Sequence, residues 1–204
     1  MKVKNVSVCG MEESLVGSSY PMLSTDLDED QFNEEVCNVY DNEEEGISRY
    51  SKGLKLAQTK IGSGHSQWLC GIIVQFDLTF SLKAWPELQR YHFIDFVSSQ
   101  STMHKLKSMD IKTNCNEFVD SKIIDVLTSF QEEYAKNPTE ENFFKLIYNI
   151  PSGFQLTARM TTNYQQLKTI YSQRKNHRLK PDWGEFCKWI ETLPNSELIT
   201  NINN

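Results

Sequence analysis

The sequence predicts an α/β or α+β domain with a mostly antiparallel sheet, and three observations carry that prediction. Residues 73–80 alternate: Val74, Phe76, Leu78 and Phe80 are apolar while Gln75, Asp77 and Thr79 are polar, as in a strand with one buried face. Residues 2–9 and 155–162 carry further strand patterns. Amphipathic helical patterns lie between them without a regular strand–helix–strand rhythm, which argues against a doubly wound sheet.

From the N-terminus, Val3, Val6 and Val8 make residues 2–9 a short strand, followed by a turn at Gly10 and a small helix or loop over 12–16. Residues 24–46 are densely acidic, with Phe32, Val36, Val39 and Tyr40 as their spaced large apolar side chains. They predict a solvated helix or mobile loop and carry most of the negative balance. Ile47, Tyr50, Leu54 and Ala57 fall at helical spacing over 47–60, and Gly62-Ser63-Gly64 closes that helix. The central strand is expected over 68–80, and a helix over 81–90 with Pro86 near its start. Ile123, Ile124, Leu127, Phe130 and Tyr134 mark an amphipathic helix over 123–135, and Thr139 caps another over 140–150. Leu167, Ile170 and Tyr171 share one helical face; Trp183, Phe186 and Trp189 make a second helix aromatic, with Pro181 at its start. Residues 1–60 (strand, acidic segment, helix) and the core 61–204 are expected to form one domain overall.

The chain has 204 residues and a net charge of −6, which argues against a general nucleic-acid binder while leaving room for a small anion in a local basic pocket. No apolar run reaches the ~18 residues of a membrane helix, and no signal-peptide pattern opens the chain. The five cysteines form no C-x-x-C pair and read as reduced thiols of a cytoplasmic protein, without a zinc site.

Three constellations could carry chemistry. Arg174, Lys175, His177, Arg178 and Lys180 crowd one helix end and the turn after it. Solvated surface charge is one reading; an anion site is the sharper one, because arginine's forked donors suit phosphate or carboxylate. Residues 91–105, YHFIDFVSSQSTMHK, join His92 and His104 to Ser98, Ser99, Ser101 and Thr102. They lack the G-x-S-x-G elbow of a serine nucleophile and the spacing of a metal site, which leaves a polar helix or loop as the other reading. GSGH at 62–65 lacks the Lys-Ser/Thr of a phosphate loop and reads as a loop into the strand, with His65 lining a cleft.

The order GSGH, strand, helix, serine-rich segment, Ile150-Pro151, strand, Asn163-Tyr164-Gln165-Gln166-Leu167, Gln173-Arg174, Asp182-Trp183-Gly184-Glu185 resembles the flavin-dependent thymidylate synthases (ThyX) over roughly residues 61–190. The matching motifs of that family are R-H-R-x-x-S-x-N-E-x-S-x-R-Y, N-x-R-x-L, L-R and A-Q-W-E-I-R. The phrases STMHK and RKNH are similar to those of phage and prophage proteins, a divergent branch. The resemblance implies a central twisted, mainly antiparallel sheet flanked by helices and a homotetramer with active sites between subunits. Its ligands would be FAD, dUMP, methylenetetrahydrofolate and NADPH, in the cytoplasm of a bacterial host cell. It implies Arg174 at the dUMP phosphate, with Arg90, Lys175 and Arg178 as further substrate contacts. Ser101 and His92 would be the catalytic residues beside the base, and Asn163, His65 and His177 would meet the flavin. Tyr91 and Phe93 stand where the motif has two arginines, Ser98 and Ser99 where it has Asn and Glu, and Met103 where it has a later arginine.

Two functions follow from that pattern. One is reductive methylation at C5 of a deoxypyrimidine nucleotide; the other is nucleotide binding without redox chemistry, by a regulator or sequestering protein. A third reading rests on charge alone, with the acidic segment 24–46 docking a basic partner.

Overall fold

A computed structural model of the chain describes residues 1–41 and 48–202. Its four strands are β1 (Lys2–Cys9), β2 (Ile73–Ser81), β3 (Ile94–Ser99) and β4 (Gln155–Asn163). They form one antiparallel sheet of order β1-β2-β4-β3 with flanking helices, the predicted α+β architecture. The helices are α1 (Met11–Gly17), α2 (Glu29–Cys37), α3 (Arg49–Ala57), α4 (Trp85–Leu88), α5 (Thr102–Lys105), α6 (Ile111–Asn114), α7 (Ser121–Lys136), α8 (Glu140–Tyr148), α9 (Tyr164–Arg174), α10 (Glu185–Ile190) and α11 (Glu197–Thr200). By internal contacts the chain divides into two compact units, Met1–Lys4 with Asp77–Met160 and Asn5–Phe76 with Thr161–Asn204.

The register of β2 against β4 is legible in side-chain pairs. Thr79 and Thr157 share a hydroxyl hydrogen bond of 2.8 Å, and Arg159 Nη1 donates to Asp77 Oδ1 at 3.3 Å, two residues further along each strand. These cross-strand pairs mark the polar face. On the other face Val74, Phe76, Leu78 and Phe80 are fully buried, as their alternation predicts, and Ala158, Met160 and Thr162 of β4 are buried too. Each large apolar side chain taken out of water in this way contributes roughly 1.5–3 kcal/mol.

In the first unit α7 packs on α8 over a core of Leu106, Ile111, Leu127, Leu146 and Phe154. Thr139 caps α8 by accepting the Asn142 N–H, as its sequence position predicts. In the second unit Leu15, Leu69, Ile72, Tyr164, Leu167, Ile170, Trp183 and Phe186 are fully buried. There α9 packs against α10, α11 and the turn at Gln67–Gly71. The buried face of α9 also includes Lys168, whose Nζ donates to Ala57 C=O at 2.6 Å and Thr59 C=O at 2.7 Å, the open end of α3.

Four expectations are corrected or refined. Residues 68–71 belong to a 3₁₀ turn, so the central strand begins at Ile73. Gly71 sits against Ser14, and its carbonyl lies 2.5 Å from where a Cβ on Gly10 would stand, so chain packing wins over the apolar run. The helix expected over 81–90 shrinks to α4, with Pro86 in its first turn. Residues 94–99, read as polar helix or loop, form the edge strand β3. In the acidic segment, Asp28 and Gln31 make a reciprocal capping box that starts α2. Residues 42–47, including Ile47, lie outside the described residues.

Candidate functional site

The second unit holds six of the nine candidate site residues: His65, Asn163, Arg174, Lys175, His177 and Arg178. Asn163 ends β4 and caps α9, with its Oδ1 accepting the Gln166 N–H at 2.8 Å. Its carboxamide oxygen therefore has a structural partner already. Right after it come two buried side-chain atoms without hydrogen-bond partners, Gln165 Oε1 and Gln166 Nε2; Gln166 is 8% exposed. Leaving such groups unpaired costs about 1–3 kcal/mol each, so native proteins satisfy nearly all of them. The two residues are consecutive on α9, so their side chains leave the helix in different directions. Trp68 Nε1 is a third such atom, in the turn that packs on α9.

At its other end α9 finishes with Arg174, and the chain turns through Lys175–Leu179 into a π-helical turn (Lys180–Gly184) and α10. Arg174 is half-buried, and its Cζ lies 4.5 Å from the ring centroid of fully buried Trp183, a cation–π contact that restricts the guanidinium. His177 stands edge-on to the same ring, with centroids 6.2 Å apart. Its Nδ1 accepts the Leu179 N–H at 3.2 Å, so in the neutral imidazole the proton sits on Nε2. Arg178 is exposed in the same turn. His65 is exposed in the Gly62–Gly64 loop, apart in sequence from these groups.

Beside the turn opens a cleft of about 630 Å³, lined by Lys175, Asn176, His177, Lys180, Lys188, Glu185, Cys187 and Glu191, with Gly184 at its wall. Both carboxylates are engaged: Lys188 Nζ donates to Glu185 Oε1 at 2.7 Å and the Tyr171 hydroxyl to Glu191 Oε1 at 2.8 Å. The arrangement is a recess with three lysines and two carboxylates, beside the turn that follows Arg174.

The first unit holds the other three candidates. Arg90 and His92 are exposed in the turn between α4 and β3, and Ser101 is half-buried at the start of α5. A smaller cavity of about 160 Å³ follows Ser101, lined by Thr102, His104, Lys107, Tyr134 and Phe143 among others; Ser101 does not line it. The structure thus brings Arg174, Lys175, His177 and Arg178 into one turn, and Arg90 with His92 into another.

Sequence reasoning missed Lys188, whose i,i+3 spacing from Glu185 is a weak local signal. It also missed the orphaned amides of Gln165 and Gln166, which only packing reveals.

No family model and no curated relative matches the chain. Among solved structures it is similar to the flavin-dependent thymidylate synthase ThyX of Helicobacter pylori in complex with FAD and dUMP. The TM-score is 0.68 at 13% identity, over 98% of this chain and 97% of that one. A second structure of ThyX from the same organism, with FAD and dUMP, gives 0.67 at 14% identity, over 98% and 97%. The chain has the fold of those enzymes along nearly its whole length.

Proposed function

We propose that the protein binds a dUMP-type deoxypyrimidine nucleotide, with Arg174 as the phosphate contact. The observation that carries the proposal is a half-buried guanidinium held over Trp183 in a cation-rich turn, on a fold shared end to end with proteins solved with FAD and dUMP. An arginine already restrained by its neighbour loses less freedom on binding. Each charge-assisted bond from its fork contributes about 1.5–3 kcal/mol. Lys175, Arg178 and Arg90 are the further substrate contacts of this reading.

For FAD, the residues of this chain that would hold it are Asn163 through Nδ2, His65 and His177. FAD, when bound, would supply the hydride for reductive methylation at C5, with methylenetetrahydrofolate as carbon donor and NADPH as reductant. Ser101 and His92 would hold and polarise the base. A homotetramer in a host cytoplasm, of phage origin, belongs to the same reading.

One observation favours the alternative, a non-catalytic nucleotide-binding protein. In the turn before β3, Tyr91 is half-buried and Phe93 is 66% exposed, and neither side chain can give a flavin pyrophosphate a charged donor.

Calorimetric titration with dUMP, together with the visible spectrum after adding FAD and gel filtration, tests both. Arg174→Ala is expected to cost dUMP affinity ~2 kcal/mol or more. Arg174→Lys keeps a cation at the site but loses the fork, and is expected to fall between. Unchanged dUMP affinity in Arg174→Ala would remove the phosphate assignment. A retained flavin spectrum selects the enzyme; a colourless protein that binds dUMP selects the regulator.

A further inference from the structure

We infer that Trp183 is a positioning residue of the nucleotide site: it sets the affinity for the nucleotide through Arg174, by holding the guanidinium on its ring. The inference rests on the nucleotide reading above and names the residue through which Arg174 acts. An arginine at a helix end has several rotatable bonds, and it gives up that freedom when it closes on an anion. Part of the freedom is already gone here, because Arg174 Cζ lies 4.5 Å from the centroid of the Trp183 ring. The attraction is between a cation and the face of a π system. The five N–H donors of a guanidinium lie in its own plane, so contact with a ring face occupies none of them. An indole can therefore fix the cation and leave its fork chemistry intact.

The ring that does this is itself held from behind. Trp183 is fully buried in the π-helical turn Lys180–Gly184, a kind of turn found often at functional sites. Phe186 is fully buried too and meets Trp183 in a T-shaped contact, with centroids 6.0 Å apart and planes at 84°. Phe186 in turn lies 5.1 Å from Trp189 and 6.1 Å from Phe76 of β2, and Phe76 lies 4.6 Å from Trp189. A column of rings thus runs from the central strand to the guanidinium, all of it inside the second unit. His177 packs on the same indole, with centroids 6.2 Å apart. Close-packed rings of this kind keep to one arrangement, so Arg174 rests on a surface already in place when the ligand arrives.

The test is calorimetric titration of the full chain with dUMP. The wild type, Trp183→Phe, Trp183→Leu and Arg174→Ala are compared with the two double variants that combine Arg174→Ala with each Trp183 substitution. Circular dichroism shows that each variant is folded at the titration temperature. Trp183→Phe keeps a ring and is expected to weaken dUMP binding about two- to threefold; Trp183→Leu removes the ring and is expected to weaken it about tenfold. With Arg174 already replaced by alanine, neither substitution should weaken binding further, because the ring then holds no cation. A merely structural tryptophan would lower affinity by the same factor in both backgrounds, and that result overturns the inference. Wild-type affinity in Trp183→Leu, with Arg174→Ala weakened, overturns it as well and leaves the nucleotide reading standing. If Trp183→Leu does not fold, the cycle of Trp183→Phe with Arg174→Ala decides by the same comparison. Wild-type dUMP affinity in Arg174→Ala, or no dUMP binding by the wild type, removes the reading and the inference together.

Discussion

Replacing Lys168 by methionine should destabilise the protein by about 2–4 kcal/mol, and the structure shows why the cost is large for a single exchange. Lys168 is fully buried on α9, and its ammonium reaches two carbonyl oxygens, Ala57 and Thr59, at 2.6 and 2.7 Å. Those carbonyls close the C-terminal end of α3, where the helix has no further N–H to offer and a positive charge is favoured. Methionine has nearly the same length and fills the same space, so no cavity contributes. Two bonds from a charged donor disappear, and the buried Ala57 carbonyl and the half-buried Thr59 carbonyl lose their partner, at about 1–3 kcal/mol each and less for the half-buried one. Removing the buried charge offsets part of this, because burial itself lowers the Lys168 pKa and so opposes the ammonium form. Urea unfolding followed by circular dichroism measures the difference through the midpoint, with an unchanged slope expected. A Lys168→Met midpoint within about 0.5 kcal/mol of wild type would refute the argument, showing that desolvation cancels the two bonds.

Stability should fall on the alkaline side. Burial first, with Glu191 second, raises Cys187 to about 11, and burial with the Glu191 hydrogen bond raises Tyr171 to about 12. Burial also raises Tyr50 and Tyr164. The folded chain then binds more protons than the unfolded one between the ordinary values, 9.0 for the thiol and 10.0 for the phenols, and the raised ones, so stability declines as pH rises through that window. Lys168 acts in the opposite sense, since its lowered pKa makes the unfolded chain the better proton binder. Tyr40, Cys70, Cys115 and Lys188 are raised as well, so eight groups against one among the described residues predict a falling urea midpoint from about pH 9 to 11, and a flat profile would contradict the assignment. Gly10→Ala should cost at least ~2 kcal/mol in thermal unfolding. Gly10 has φ 80°, and an added Cβ would sit 2.5 Å from the Gly71 carbonyl oxygen. Asn163→Ala should cost about 1 kcal/mol of stability through the lost cap of α9. If its Nδ2 also meets a ligand, FAD or dUMP affinity falls more than stability does, and equal losses would leave Asn163 a cap alone.

What the sequence made legible follows from how each element meets solvent. The strand at β2 was readable because one face is wholly buried, so Val74 to Phe80 carries the full period of two. The helices α7 and α8 were readable for the same reason, and Thr139 announced where α8 begins. Strand β3 was not, because it is the sheet's edge: only Ile94 is buried, and Asp95, Val97 and Ser98 stand exposed with no apolar rhythm to reveal them. The run at 68–71 reads as strand by composition, yet close packing of Gly71 on Gly10 and Ser14 folds it as a tight turn. Local propensity lost there to tertiary contact.

The basic turn was legible as a charge cluster and a candidate anion site, but the different surroundings of its cations were not. Arg174, Lys175, Arg178 and Lys180 look equivalent along the chain, whereas in the fold Arg174 lies over a buried indole, Arg178 faces solvent, and Lys175 and Lys180 line a recess. The carboxylates that could have neutralised that recess, Glu185 and Glu191, are occupied by partners three and twenty residues away. Lys175 and Lys180 have no carboxylate partner among the described residues, so three lysines against two carboxylates leave the recess net positive. One of those carboxylates is held by Tyr171, a residue the sequence places on an apolar stripe. Tyr171→Phe would release Glu191 from its hydrogen bond toward the cleft lysines, and calorimetric titration is expected to show weaker dUMP binding, whereas unchanged affinity would show that Glu191 does not reach the ligand.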